Sequence, residues 1–111
     1  MRKRSDAFYI SDMLTYARRT AERVHGLSRE DFDATLAHQE SVAYNIMIIG
    51  EAASKVSDET RAAYPVIPWN QIKAMRNQIV HGYAETDHNE LWDTATKDIP
   101  ILIAELERIS Q

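Results

Sequence analysis

Apolar residues recur with a helical period along almost the whole chain. Ile10, Met13, Leu14, Ala17, Ala21 and Val24 return every three or four positions, predicting an amphipathic helix over about residues 6 to 24. Gly26 is placed to end that helix, and Ser28 with Asp31 has the spacing of a capping box for the next. Phe32, Leu36, Val42, Ala43, Ile46, Met47, Gly50, Ala53 and Val56 keep the same period and predict one long central helix. Ser57-Asp58 predicts a capped helical turn through Ala63. Pro65 and Pro68 then interrupt the pattern, and a third main helix is expected from Pro68 or Trp69 to about His81, with Gly82 as its stop. Asp87 and Glu90 form another capping pair. The last helix carries Leu91, Trp92, Ala95, Ile99, Leu102, Ile103, Leu106 and Ile109, and Pro100 should kink it near Thr96.

No segment shows strand-like alternation, and 3 Gly and 3 Pro leave little material for a turn-rich β fold. The expected fold is therefore all-α: a four- or five-helix antiparallel bundle forming a single domain over residues 1–111. The absence of cysteine excludes disulfides, thiolate metal sites and thiol catalysis, and suits a reducing compartment. The basic start Met1-Arg2-Lys3-Arg4 runs into Ser5 and Asp6 instead of an apolar stretch, and Ile46-Met47-Ile48-Ile49 is too short to span a bilayer. A cytoplasmic protein without membrane contact is expected. The net charge of -4 argues against a broad basic face that coats nucleic acid, but leaves room for a local cation cluster holding one phosphate.

Candidate chemistry concentrates in the third main helix. Ile72, Met75 and Ile79 form its core stripe, Arg76 borders that stripe, and Asn77 and His81, four residues apart, are neighbours on a face the core does not use. On one helix Arg76 and His81 diverge by about 140°. Two copies of the helix meeting across a two-fold axis would instead line one cleft with two imidazoles and two guanidinium groups. These are the groups that metal-free RNA cleavage needs: a base for the ribose 2′-hydroxyl, an acid for the departing 5′-oxygen, and a cation over the phosphorane. The bare spacing is weak support, since an Arg and a His five apart arise by chance in roughly one such sequence in three.

The surrounding residues are more specific. Arg76-Asn77-Gln78-Ile79-Val80-His81-Gly82-Tyr83 resembles the R-x4-H-x-Y signature of HepT-like ribonuclease toxins of the HEPN superfamily. Ile49-Gly50-Glu51-Ala52-Ala53, Tyr64-Pro65-x-x-Pro68-Trp69, Leu91-Trp92 and Asp98-Ile99-Pro100 match in the same order, so the resemblance covers essentially the whole chain. It implies a HEPN-like homodimer joined through the signature helix, with Arg76 and His81 catalytic and Asn77 assisting. It also implies an RNA substrate, no cofactor, and a toxin–antitoxin partner: a minimal nucleotidyltransferase of the MntA type that transfers AMP to Tyr83. Added phosphates there would occupy the groove that RNA must enter.

Glu51, among apolar neighbours, is a candidate to hydrogen-bond towards the third helix and orient Arg76, with a structural carboxylate as the alternative. Asp87, His88 and Glu90 could be drawn as metal ligands, but capping explains them more simply, and no metal site is assigned. His25 and His38 are assigned no chemistry; Trp69 and Trp92 read as core aromatics, and Arg18, Arg19 and Arg23 as a solvated cationic strip. The competing functional reading is a non-catalytic helical partner or nucleotide-binding module of a nucleotidyltransferase. A helical metal-binding protein is a third.

Overall fold

The structure, a computed structural model, describes residues 4–110; Met1, Arg2 and Lys3 of the basic start lie outside the described residues. It is all-α, with no strand among the described residues. Among the described residues seven α-helices follow one another: α1 (Asp6–Val24), α2 (Arg29–Ala34), α3 (Leu36–Ser54), α4 (Asp58–Ala63), α5 (Trp69–Gly82), α6 (His88–Asp93) and α7 (Ile99–Ile109). Four long elements build the bundle. The central α3 packs against α1 and α5, and α7 packs against α1.

The start of α1 is capped by Ser5, whose hydroxyl accepts from the Phe8 N–H at 3.2 Å, and Gly26 ends the region in a left-handed conformation at φ 72°. Its buried stripe includes Thr20, whose hydroxyl donates to the Tyr16 carbonyl at 2.8 Å, where the apolar pattern pointed to the half-buried Ala21. Asp6 ties α1 to α4. It accepts from the Ser57 N–H at 3.0 Å and from the Ser57 and Thr60 hydroxyls at 2.6 Å each, while Ser57 caps α4 as expected.

The predicted continuous central helix is broken. Thr35 is extended at φ -123°, ψ 103°, and divides the segment into α2 and α3. The break is stabilised from inside: Gln39 is buried, and its Nε2 donates to the carbonyls of Phe32 and Asp33 at 3.0 Å each, satisfying groups that a continuous helix would have bonded itself. Leu36, expected in the core, is consequently 62% exposed.

The stop after α5 also differs from expectation. Gly82 is the last residue of the helix, at φ -164° instead of a left-handed value, and the chain continues into a 3-10 turn at Tyr83–Glu85. Thr86 closes this corner by donating its hydroxyl to the Gly82 carbonyl at 3.1 Å. Asp87 caps α6 by accepting from the Asn89 N–H at 2.8 Å, but Glu90 does not complete a reciprocal box: it accepts from Gln78 of α5 at 2.9 Å. The disturbance expected from Pro100 takes the form of a π-helical segment, Thr94–Asp98, between α6 and α7.

Two apolar clusters fill the bundle. One joins Met13 and Ala17 of α1 to Ile49 and Ala53 of α3 and to Ile99, Leu102 and Leu106. The other gathers Phe32, Val42, Ile46, Ile79 and Leu91, with Trp92 against Phe32 at a centroid distance of 5.2 Å. Trp92 is thus a core-edge aromatic, and Trp69 donates its indole N–H to the Tyr64 carbonyl at 3.0 Å.

Candidate active site

Gly50 determines how closely α3 and α5 approach. A Cβ at this position would lie 2.3 Å from Cβ and 2.6 Å from Cγ of Arg76, so a side chain cannot be accommodated without moving one helix. The next residue, Glu51, uses that proximity. Its Oε1 accepts from Nε of Arg76 at 2.9 Å and also from Nη2. Nη1 of Arg76 donates to Oδ1 of Asn77 at 2.9 Å. The guanidinium is therefore fixed from two sides, its side chain 28% exposed against 39% for Glu51.

A guanidinium has five N–H groups, and these contacts use three. One N–H on each terminal nitrogen is left to meet an anion, in a fork that matches phosphate oxygens. Glu51 was a sequence candidate for this contact; the role of Gly50 was not recognised, although its place directly before Glu51 was the available signal.

His81 is exposed, and its imidazole has no hydrogen-bond partner among the described residues. The helix is unbroken from Trp69 to Gly82, so His81 and Arg76 leave it about 140° apart, as the wheel indicated. Asn77 is half-buried and turned to Arg76, not placed on an open face with His81. Within one chain the structure brings together Glu51, Arg76 and Asn77, and leaves His81 facing solvent.

After the turn at Gly82, Tyr83 packs at the α3–α5 groove lined by Glu40, Ala43, Tyr44, Met47, Ile79 and Val80. Its hydroxyl is buried without a hydrogen-bond partner. Burial, and secondarily the negative charge of Glu40, raises the phenol pKa above its ordinary 10.0. Among the described residues no three His, Asp or Glu side chains are grouped to hold a metal ion, and Asp87 and Glu90 are accounted for by the bonds given above.

The comparison that decides the family is a match of residues 13–109 to the model for the ribonuclease HepT-like family. The chain belongs to the HepT-like family. A "Probable ribonuclease HepT" of Thermococcus cleftensis is 31% identical over 107 residues, covering 96% of this chain and 97% of the relative. A "Putative RNase" of Caldanaerobacter subterraneus subsp. tengcongensis is 31% identical over 103 residues, covering 93% and 92%. Another "Putative RNase", from Methanocaldococcus jannaschii, is 30% identical over 109 residues, covering 98% and 94%. No solved structure matches significantly. Membership of this family supports ribonuclease activity, and no described helix is long and apolar enough to cross a membrane.

Proposed function

We propose that this HepT-like protein is the toxin of a toxin–antitoxin pair and cuts RNA without a metal ion, at a site shared by two chains. The observation that carries the reading is the guanidinium of Arg76, held by Glu51 and Asn77 through three of its five N–H groups, on the same helix as the exposed His81. A fixed cation of this kind stabilises charge that develops on phosphate oxygens without reorganising during the reaction.

In the proposed step one imidazole removes the proton from the ribose 2′-hydroxyl, and the resulting oxygen attacks the adjacent phosphorus. The bond to the 5′-oxygen breaks, and a second imidazole, in its protonated form, supplies the proton to that leaving oxygen. The products are a 2′,3′-cyclic phosphate and a free 5′-hydroxyl. One exposed His81 per chain cannot be base and acid at once, whereas a pair in a dimer divides the two roles.

The partner in this reading is an MntA-like nucleotidyltransferase that silences the site by adding AMP to Tyr83. Because the Tyr83 hydroxyl is covered, the reading requires the 83–85 turn to open before transfer. Intact mass after co-expression should rise in steps of AMP, with no rise for Tyr83→Phe.

The central experiment is cleavage of RNA by purified protein in excess chelator. His81→Ala and Arg76→Ala should each abolish cleavage while the fold persists. Cleavage that survives both substitutions, or that chelator removes, refutes the mechanism. Absence of cleavage by the unaltered protein, together with stable association with a nucleotidyltransferase, would favour the non-catalytic partner instead.

A further inference from the structure

An open cleft of about 570 Å³ lies between α1 and α3, lined by Arg19, Glu22, Arg23, His38, Ser41 and Asn45. On α3, Asn45 and Ser41 are roughly 140° and 180° around the helix from Gly50, so this cleft is separate from the Arg76 contact.

Its least expected member is Asn45, only 6% exposed, whose carboxamide has no hydrogen-bond partner among the described residues. The carboxamide is not sealed in the core as the Tyr83 hydroxyl is, so its polar atoms open into the cleft. An amide so placed favours a ligand that completes its bonding. Two guanidinium groups converge on the same space without carboxylate partners. Arg19 lies over the Tyr16 ring, with Cζ 4.6 Å from the centroid, and Nη1 of Arg23 is 3.4 Å from Nδ1 of His38. Neighbouring Arg18, by contrast, is neutralised by Glu107 at 2.7 Å. Glu22 is the opposing charge in the cleft, leaving two guanidiniums to one carboxylate.

An aromatic path leads from this cleft towards α5. Tyr16 meets Tyr44 edge-on at a centroid distance of 6.4 Å, and the 52% exposed Tyr44 lines the α3–α5 groove with Val80, the residue before His81. Cations that hold a phosphate, followed by exposed aromatic faces, form the pattern that binds single-stranded nucleic acid.

We propose that the α1–α3 cleft binds a backbone phosphate of the RNA substrate at a distance from the cleaved bond, with the intervening nucleotide stacked on Tyr44; this assignment rests on the ribonuclease reading above. Arg19 and Arg23 grip the phosphate oxygens, and the Asn45 amide donates to one of them.

The test uses the full chain carrying His81→Ala, so that RNA stays intact, and a fluorescent single-stranded oligoribonucleotide of about twelve nucleotides. Arg19→Gln with Arg23→Gln should weaken binding about tenfold and lower the salt slope by about 0.7, as expected for one lost phosphate contact. Asn45→Leu should also weaken binding while leaving thermal stability equal or higher, because it removes an unpartnered buried amide. In protein with His81 intact, the double Arg change should raise KM for the oligonucleotide without changing kcat, and should not affect cleavage of a dinucleotide too short to reach the cleft. Unchanged affinity, or an equal loss on the dinucleotide, overturns the assignment. If RNA binds through the cleft but the His81-containing protein never cuts it, the ribonuclease reading fails and the cleft stands. If RNA does not bind at all, the cleft assignment fails.

Discussion

Replacing Gly50 with alanine adds one methyl group where α3 touches Arg76. The new Cβ would start 2.3 Å from Arg76 Cβ, and ordinary carbon contact begins near about 3.5 Å, so the helices must part by roughly 1.2 Å. Opening along that line takes the Glu51 Oε1 to Arg76 Nε contact from 2.9 Å to about 4 Å, beyond hydrogen-bond reach. Overpacking of this kind costs about 1–3 kcal/mol, and the better helix propensity of alanine returns about 1, leaving a net loss of roughly 0–2 kcal/mol. For a chain this size that lowers the melting temperature by at most about 9 °C. The effect on cleavage should be larger, on the order of a hundredfold, since the guanidinium would be displaced by about 1 Å. Calorimetric unfolding beside a single-turnover RNA cleavage assay separates the two effects. If Gly50→Ala cleaves at the wild-type rate, the spacing of α3 and α5 does not position Arg76.

Three further outcomes are expected. Mixing equal amounts of wild-type and His81→Ala chains under subunit exchange should leave about one quarter of the activity if both imidazoles of a dimer are needed, against about one half if each chain acts alone. Tyr83→Phe should be neutral or stabilising near pH 7, because it removes a buried hydroxyl without a partner. The raised phenol pKa means the folded state holds its proton longer than the unfolded chain; stability is therefore fully present below the ordinary value of 10.0 and is lost as pH rises above it. Thermal melts of Tyr83→Phe should show a smaller alkaline decline, and an identical decline would contradict this. Gln39→Ala should cost about 1–3 kcal/mol by removing both Nε2 bonds, which leaves the Phe32 carbonyl only the Thr35 N–H, measured by urea unfolding, with faster amide exchange across α2.

Features governed by neighbouring residues were the most legible in the sequence. The Ser5–Val24 region, the Ser57 cap and the Gly26 turn depend on local capping or backbone freedom, and the apolar period located all four long helices. The break at Thr35 was hidden because Leu36 keeps the apolar period through it, while the group that stabilises it is a buried Gln39 amide that pattern reading counts as polar surface. Gly82 looked like a left-handed stop, yet the bond from Thr86 closes the corner without one. In the candidate site, Glu51 could be linked to Arg76 from its position among apolar residues, but the turn of Tyr83 into the α3 groove depends on the 3-10 corner. Asn45 gave no signal, since an amide inside a helical run has no distinctive spacing.

The π-helical segment Thr94–Asp98 is followed by Pro100, which has no N–H, and the Ile99 N–H bonds back to the Thr94 carbonyl, five residues away. Its length therefore matters as well as the buried Ala95 it contributes to the core. Removing one residue there would restore an ordinary helix but rotate Ile99, Leu102 and Leu106 by about 100° relative to α6, turning an entire core face towards water. Point substitutions at its exposed Lys97 and Asp98 should be tolerated, and a larger side chain at the buried Ala95 should not, whereas single-residue insertions or deletions should fail anywhere along it, so in a deletion scan it should stand out as a stretch whose register cannot be changed.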